Sequence, residues 1–175
     1  MPDEHASQPS AAELVARLAQ SRRSLMDAIA GLDEEGFRLR PREGEWTAAE
    51  VLAHILSTER IFIDRAHNAV EQGGCEVIPV SDAVREEHLD MAQRMPVPQI
   101  IHGLLAQRRD TLGFVESVSE ADLVCIVRHP VRGEQTAHWQ IEHVIEHEEE
   151  HAGQIRSQRV LPGKDRRNRG AADSL

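Results

Sequence analysis

Positive charge is scarce in this 175-residue chain: 20 Lys and Arg stand against 30 Asp and Glu, a formal charge of −10. Nucleic acids and anionic membranes both require a cationic face, so neither is an expected partner. Aromatic residues are only 3% of the chain and Tyr is absent, which leaves little for a base-stacking surface. Two cysteines, Cys75 and Cys125, are too few and too far apart for a disulfide framework. No apolar run approaches the ~20 residues of a membrane span. The first residues, Met1-Pro2-Asp3-Glu4-His5, are acidic and polar and do not read as a secretory signal. The composition therefore predicts a protein in a reduced, cytoplasmic setting. At roughly 100–200 residues per domain, it forms one domain.

What is abundant is helical periodicity. Ala11, Leu14, Leu18, Ser21, Leu25, Ala28 and Leu32 step by three and four behind a Ser10–Glu13 capping box. Thr47–Glu50 is a second such box. It opens a helix on Val51, Ile55, Thr58, Phe62, Ala66 and Ala69, which ends at Gly73-Gly74. Trp46, just before this cap, is placed to act as a hydrophobic staple. A third helix is expected over about 98–118, with Ile101, Leu104, Leu105, Leu112 and Val115 inward, and a fourth from about Thr136 to Val160. Residues 36–46 read as a loop. Residues 73–96 are a long connection in which Ser81 can cap a short helix over about 82–94. Leu123–Val127 can be extended, with Pro130 and Gly133 as breakers. The fold expected is all-α, an antiparallel four-helix bundle over 10–160 with a long connection between helices 2 and 3 and loose tails at 1–9 and 164–175.

Histidine is the other excess. Of 10 His, four (His138, His143, His147, His151) fall within fourteen residues. His147 and His151, at i and i+4, lie one above the other on a helix, so both imidazoles can reach one metal ion. Read literally, His147 to His151 is H-E-x-x-H, the zinc-protease pattern. Such sites take a third ligand from farther along the chain, and the 24 residues after His151 contain neither His nor Glu. The third ligand must come from upstream. His54 is the candidate, since it lies at the margin of the inward face of helix 2. Three imidazoles with a fourth position open are the donor set of a catalytic zinc site, and imidazole also suits Ni, Fe and Cu.

These residues carry a resemblance. His54 closes Gly44-Glu45-Trp46-Thr47-Ala48-Ala49-Glu50-Val51-Leu52-Ala53-His54. His147 and His151 sit in Glu146-His147-Glu148-Glu149-Glu150-His151-Ala152-Gly153-Gln154-Ile155, with Pro130 to Gly133 ahead of that helix. Over about residues 10–160 the chain resembles the DinB-like (YfiT-like) metalloenzyme superfamily. The resemblance implies a four-helix bundle with a three-histidine divalent-metal site at one end, held by His54, His147 and His151. Zinc is the first choice, with Ni, Fe or Mn as alternatives. It also implies a homodimer and a thiol-dependent S-transferase or isomerase that uses a low-molecular-weight thiol such as bacillithiol or mycothiol. The family often has Arg after the last histidine, where this chain has Ala152. A non-catalytic metal-binding or stress-response protein and a metal-dependent hydrolase are the competing readings.

Helix geometry adds one more group. With Ile141 set at 0°, Glu142, Glu146, Glu149 and Glu150 fall at about 80–180°, a solvent face, whereas Glu148 falls at about 340°, inside the stripe of Ile141, Val144, Ile145, Ala152 and Ile155. A buried carboxylate must be paired or functional. Glu148 can act as the catalytic proton acceptor beside the metal, hydrogen-bond a ligand imidazole, or form a salt bridge with Arg65 or Arg108, both on inward faces. The same arginines can instead hold a carboxylate on the thiol or the acceptor. His143 reads as a rim residue, His138 as surface, and the two cysteines as passive.

Overall fold

The computed structural model describes residues 8–78 and 82–160, and the chain is helical for most of that length. Four long helices form the bundle: α1 (Ala11–Ile29), α3 (Ala48–Gln72), α5 (Val97–Ser117) and α7 (Ala137–Val160). Smaller elements fill the links: α2 (Glu34–Arg38), β1 (Cys75–Glu76), α4 (Asp82–Arg94), α6 (Glu120–Leu123), β2 (Ile126–His129) and β3 (Gly133–Thr136). Both capping boxes form as the sequence reads, Ser10 with Glu13 and Thr47 with Glu50. The α3 helix ends on Gly73, whose φ of 65° is the left-handed cap that glycine adopts without strain. Ser81 and most of the expected tails lie outside the described residues.

Within the bundle, α1 and α3 each pack against both α5 and α7. Arg17 meets Glu142 and Arg156 meets Ser24, so α1 and α7 run the same way. Glu59 meets Arg108 and His67 meets Phe114, so α3 and α5 also share a direction. His54 against His147 and Phe62 against His143 show that α3 opposes α7. The long link after α3 makes this possible, because it returns the chain to the end where α3 began. Its helix α4 packs on α3 on the way.

The bundle interior has three layers. One apolar core holds Leu25, Ala28, Val51, Leu52, Ile55, Ile100, Leu104 and Ile155, and a second holds Leu14, Leu18, Phe62, Ile63, Val115, Ile141 and Ile145. Between them each long helix contributes one buried charge: Arg22, Glu59, Arg108 and Glu148. Arg22 bonds Glu59 and Glu148, each at 2.6 Å. Arg108 bonds the same two carboxylates, each at 2.8 Å. Ser21 donates to Glu148, and Thr111 donates to Glu59 at 2.8 Å. Each guanidinium also donates to main chain, Arg22 to the Leu104 carbonyl and Arg108 to the Leu18 carbonyl, and Arg108 Nη1 donates to Ser21 Oγ at 3.1 Å as well. Burial works against the Arg108 charge, but Glu59 and Glu148 outweigh it and raise its pKa.

Three local readings need correction. Residues 34–38 are helical, not loop, because the Asp33 side chain accepts from the Gly36 amide at 2.8 Å and Phe37 anchors the turn in the core. The stretch expected to be extended from Leu123 begins one turn later: Ser119 caps α6 through Leu123, and the strand starts at Ile126. The strand β2 then pairs antiparallel with β3 around Pro130–Arg132, and parallel with β1 through Cys75↔Val127. Finally, His138 is buried, not surface, because its Nε2 bonds the Pro9 carbonyl at 2.9 Å, where the chain ahead of α1 crosses it.

Candidate metal centre

The structure brings His54, His147 and His151 to one point. His54 stands two turns into α3, and the other two stand one turn apart on α7. The His54 and His147 Nε2 atoms are 3.0 Å apart, those of His147 and His151 are 3.2 Å apart, and all three donors lie within 4.8 Å of one another. Ligands held 2.0–2.1 Å from a tetrahedral ion are roughly 3.3 Å apart, so two of the spacings already suit one shared ion.

The protonation states also fit. Burial first, then the His151 and His88 rings, lower the His54 pKa to about 4. Burial, then His151, His54 and His143, lower that of His147 to about 3. Both rings are therefore neutral at pH 7, as a metal ligand requires. The His151 Nδ1–H donates to Gln154 Oε1 at 2.7 Å, which leaves the Nε2 lone pair facing the other two rings. Gln154, part of the segment that carries the family resemblance, is thus a positioning residue.

Two further side chains cover the histidines. Trp46 lies 4.8 Å from the His54 ring and stacks at 6.3 Å on His151, so it roofs the donors. His88 of α4 sits against both Trp46 and His54, at 4.9 and 4.8 Å between ring centroids. No spacing rule singled out His88; only the packing of α4 on α3 places it here. His143 is held between Trp139 (4.8 Å, nearly parallel) and Phe62 (4.5 Å), and stands outside the converging set.

Glu148 is fully buried, Glu146, Glu149 and Glu150 are exposed, and Glu142 is half-buried against Arg17. Although Glu148 is one residue from His147, its carboxylate points into the four-charge layer. Oε1 accepts from Arg22, while Oε2 accepts from Arg108 and Ser21. The expectation of Glu148 as proton acceptor is corrected on this ground, since its lone pairs are spent on the bundle. The same layer holds Arg108, 3% exposed, away from any ligand. Arg65 is different. It lines a cavity of about 520 Å³ whose other walls include His54, His147, Thr58, Phe62, His143 and Arg132.

Three histidines converging beside a cavity in a four-helix bundle form a candidate metal centre, and comparison with known proteins shows the family. Residues 17–155 match the sequence model of the DinB superfamily. The chain belongs to that superfamily. The uncharacterized protein YuaE of Bacillus subtilis is 24% identical over 148 residues, covering 78% of this chain and 91% of YuaE. YfiT of B. subtilis, described as "a probable metal-dependent hydrolase with an unusual four-helix bundle topology", superposes with a TM-score of 0.76 at 14% identity, covering 90% of each chain. The colibactin self-resistance protein ClbS, solved in complex with double-stranded DNA, superposes with a TM-score of 0.67 at 12% identity, covering 87% of this chain and 98% of ClbS.

Proposed function

We propose that this protein is a divalent-metal-dependent enzyme for a small-molecule substrate, of the thiol-S-transferase type. The observation that carries the metal dependence is the convergence of three imidazoles, from two facing helices, beside an open cavity. His54, His147 and His151 would hold the ion, and Gln154 keeps the His151 lone pair aimed at it. A divalent ion bound there supplies Lewis acidity and an open position at which a thiol or water becomes more acidic. Trp46 closes one side of the donors, so substrate approaches from the cavity past Thr58 and Phe62. In the transfer, a sulfur–carbon bond forms, the bond to the leaving group breaks, and the thiol's proton departs with that group. A hydrolytic version uses water in place of the thiol; the description of YfiT favours keeping it as the second reading.

The net charge of −10 supports a small-molecule rather than a nucleic-acid partner, and the two unpaired cysteines suit a reducing, cytoplasmic setting. Among the described residues, no helix is long and apolar enough to cross a membrane. The test is conjugation of bacillithiol, mycothiol or glutathione to a generic aryl electrophile, beside hydrolysis of a p-nitrophenyl ester, by zinc- or nickel-loaded protein. Conjugation above background that is lost in His147→Ala supports the transferase. Ester cleavage alone, with the same dependence on His147, moves the assignment to hydrolase. Equal rates in wild type and variant refute both.

A further inference from the structure

We propose that the cavity beside the histidines is shaped for a small acidic molecule, with Arg65 and Arg132 holding its carboxylate or phosphate at the end away from the histidines. This rests on the metal-site reading for where the reacting end lies. Four observations support the anion site.

The described residues that line the cavity include two arginines and no carboxylate, in a chain with 30 Asp and Glu. Elsewhere the acidic chain supplies partners, as in Arg17–Glu142, Arg40–Glu50 and Arg128–Glu134. Among the described residues, neither Arg65 nor Arg132 has one. Two guanidiniums left to face each other repel; an oxyanion between them removes the repulsion and accepts their paired N–H groups.

The Arg65 head and the Arg132 backbone are both positioned. The Arg65 side chain folds back over Phe62, its Cζ 5.0 Å from the ring centre, which aims the guanidinium along α3 toward His54. Arg132 sits at the tip of the β2–β3 hairpin. There His129 Nδ1 accepts from the Val131 and Arg132 amides at 3.1 and 3.2 Å, and Gly133 turns the chain at φ 75°. The sheet that interrupts an otherwise helical fold therefore has a use: it delivers a cation to a groove between α3 and α7.

The two charges sense one another through the cavity. Burial first, and then Arg132, lower the pKa of Arg65 and of His143 alike. Because guanidinium stays protonated at any physiological pH, the cost is carried as unrelieved positive potential.

The spacing sets the ligand's length. Phe62 lies eight residues beyond His54, roughly 12 Å along the helix axis. A ligand with its reactive group at the histidines and its anion under Arg65 is therefore an extended molecule of roughly 8–12 Å, its middle lying against Phe62 and Ile61.

The test compares 6-mercaptohexanoate with 6-mercaptohexan-1-ol, which differ in the terminal charge. Cobalt(II)-loaded protein reports binding through sulfur-to-cobalt absorption, and metal-free protein reports it by saturation-transfer NMR. Wild type is expected to bind the acid at least tenfold more tightly than the alcohol. That preference should fall below about twofold in Arg65→Gln and in Arg132→Gln, and persist in part in Arg65→Lys. Arg132 is exposed at a hairpin tip, so its variant tests the site without loading the core. Competition by inorganic phosphate against acetate then assigns the anion as phosphate or carboxylate. Failure of cobalt to bind sinks the metal reading while the metal-free comparison still decides this one. Equal affinity for acid and alcohol in wild type, or a preference that survives both glutamine variants, overturns the anion site.

Discussion

Replacing Glu148 with Gln separates two accounts of the carboxylate nearest to the histidines. In the folded protein Glu148 is fully buried and accepts hydrogen bonds from Arg22 at 2.6 Å, from Arg108 at 2.8 Å and from Ser21. With both glutamates present, the layer of Arg22, Glu59, Arg108 and Glu148 is neutral. Glutamine keeps the shape but leaves two guanidiniums sharing one carboxylate, an uncompensated buried cation. Removing one member of such a pair typically costs about 3–5 kcal/mol, a large part of a domain stability of about 5–15 kcal/mol. With a urea m-value of about 2 kcal/mol/M, the midpoint should fall by roughly 1.5–2.5 M. The assay is urea unfolding of metal-free protein followed by circular dichroism, with Arg108→Met and the double variant completing a cycle. The double variant leaves Arg22 with Glu59, a neutral pair, so it should lose less than the two single losses added. Metal content per folded molecule should stay at the wild-type level. A midpoint shift below about 0.3 M, together with loss of turnover in protein that remains folded, would refute the structural assignment and restore Glu148 as a proton acceptor.

Gln154→Leu removes the bond that fixes the His151 ring, and metal affinity is expected to fall about 10–100-fold while the urea midpoint barely moves; competition with a chromophoric chelator measures it. The metal-free protein should lose stability as pH falls from about 6.5 toward 4. Its folded-state His54 and His147 titrate only at about 4 and 3, whereas the unfolded chain takes up those protons near 6.5. Unfolding midpoints between pH 7.5 and 4.5 check this, and in His54→Ala the fall over that range should be shallower. No salt-sensitive binding to duplex DNA is expected at micromolar protein lacking residues 164–175, given the formal charge of −10. A gel-shift or anisotropy titration showing it would overturn this expectation.

The parts of the molecule legible in its sequence are those fixed by local chemistry. The two capping boxes follow from side chains bonding their own backbone within a turn, the stop at Gly73 from a left-handed φ that glycine adopts freely, and the four long helices from apolar residues spaced by three and four. The inward turn of Glu148 was legible for a related reason, because a helix fixes the angle between neighbours. What it would meet was only half legible. Arg108 lies on an inward face by its spacing, and so do Arg22 and Glu59. Both carry the same signal: Arg22 lies four residues after Leu18 and three before Leu25, and Glu59 lies four from Ile55 and four from Ile63. A charge in the middle of an apolar stripe, repeated on four helices, is a stacked layer. The sheet was less legible because β1 has two residues and pairs with β2 across about 50 positions of sequence, a contact no local pattern encodes. Likewise His88 and Arg132 reach the site only through the packing of α4 on α3 and the aim of a hairpin tip.

The most direct test of the account is the metal stoichiometry of the three histidines. Purified protein, stripped with chelator and reloaded by dialysis against zinc, should hold about one ion per chain by inductively coupled plasma analysis. Each of His54→Ala, His147→Ala and His151→Ala should lose it while keeping the helical circular dichroism of wild type, whereas His143→Ala should retain it. Loading that is absent from wild type, or that survives alanine at any of the three, would contradict a metal centre built from His54, His147 and His151.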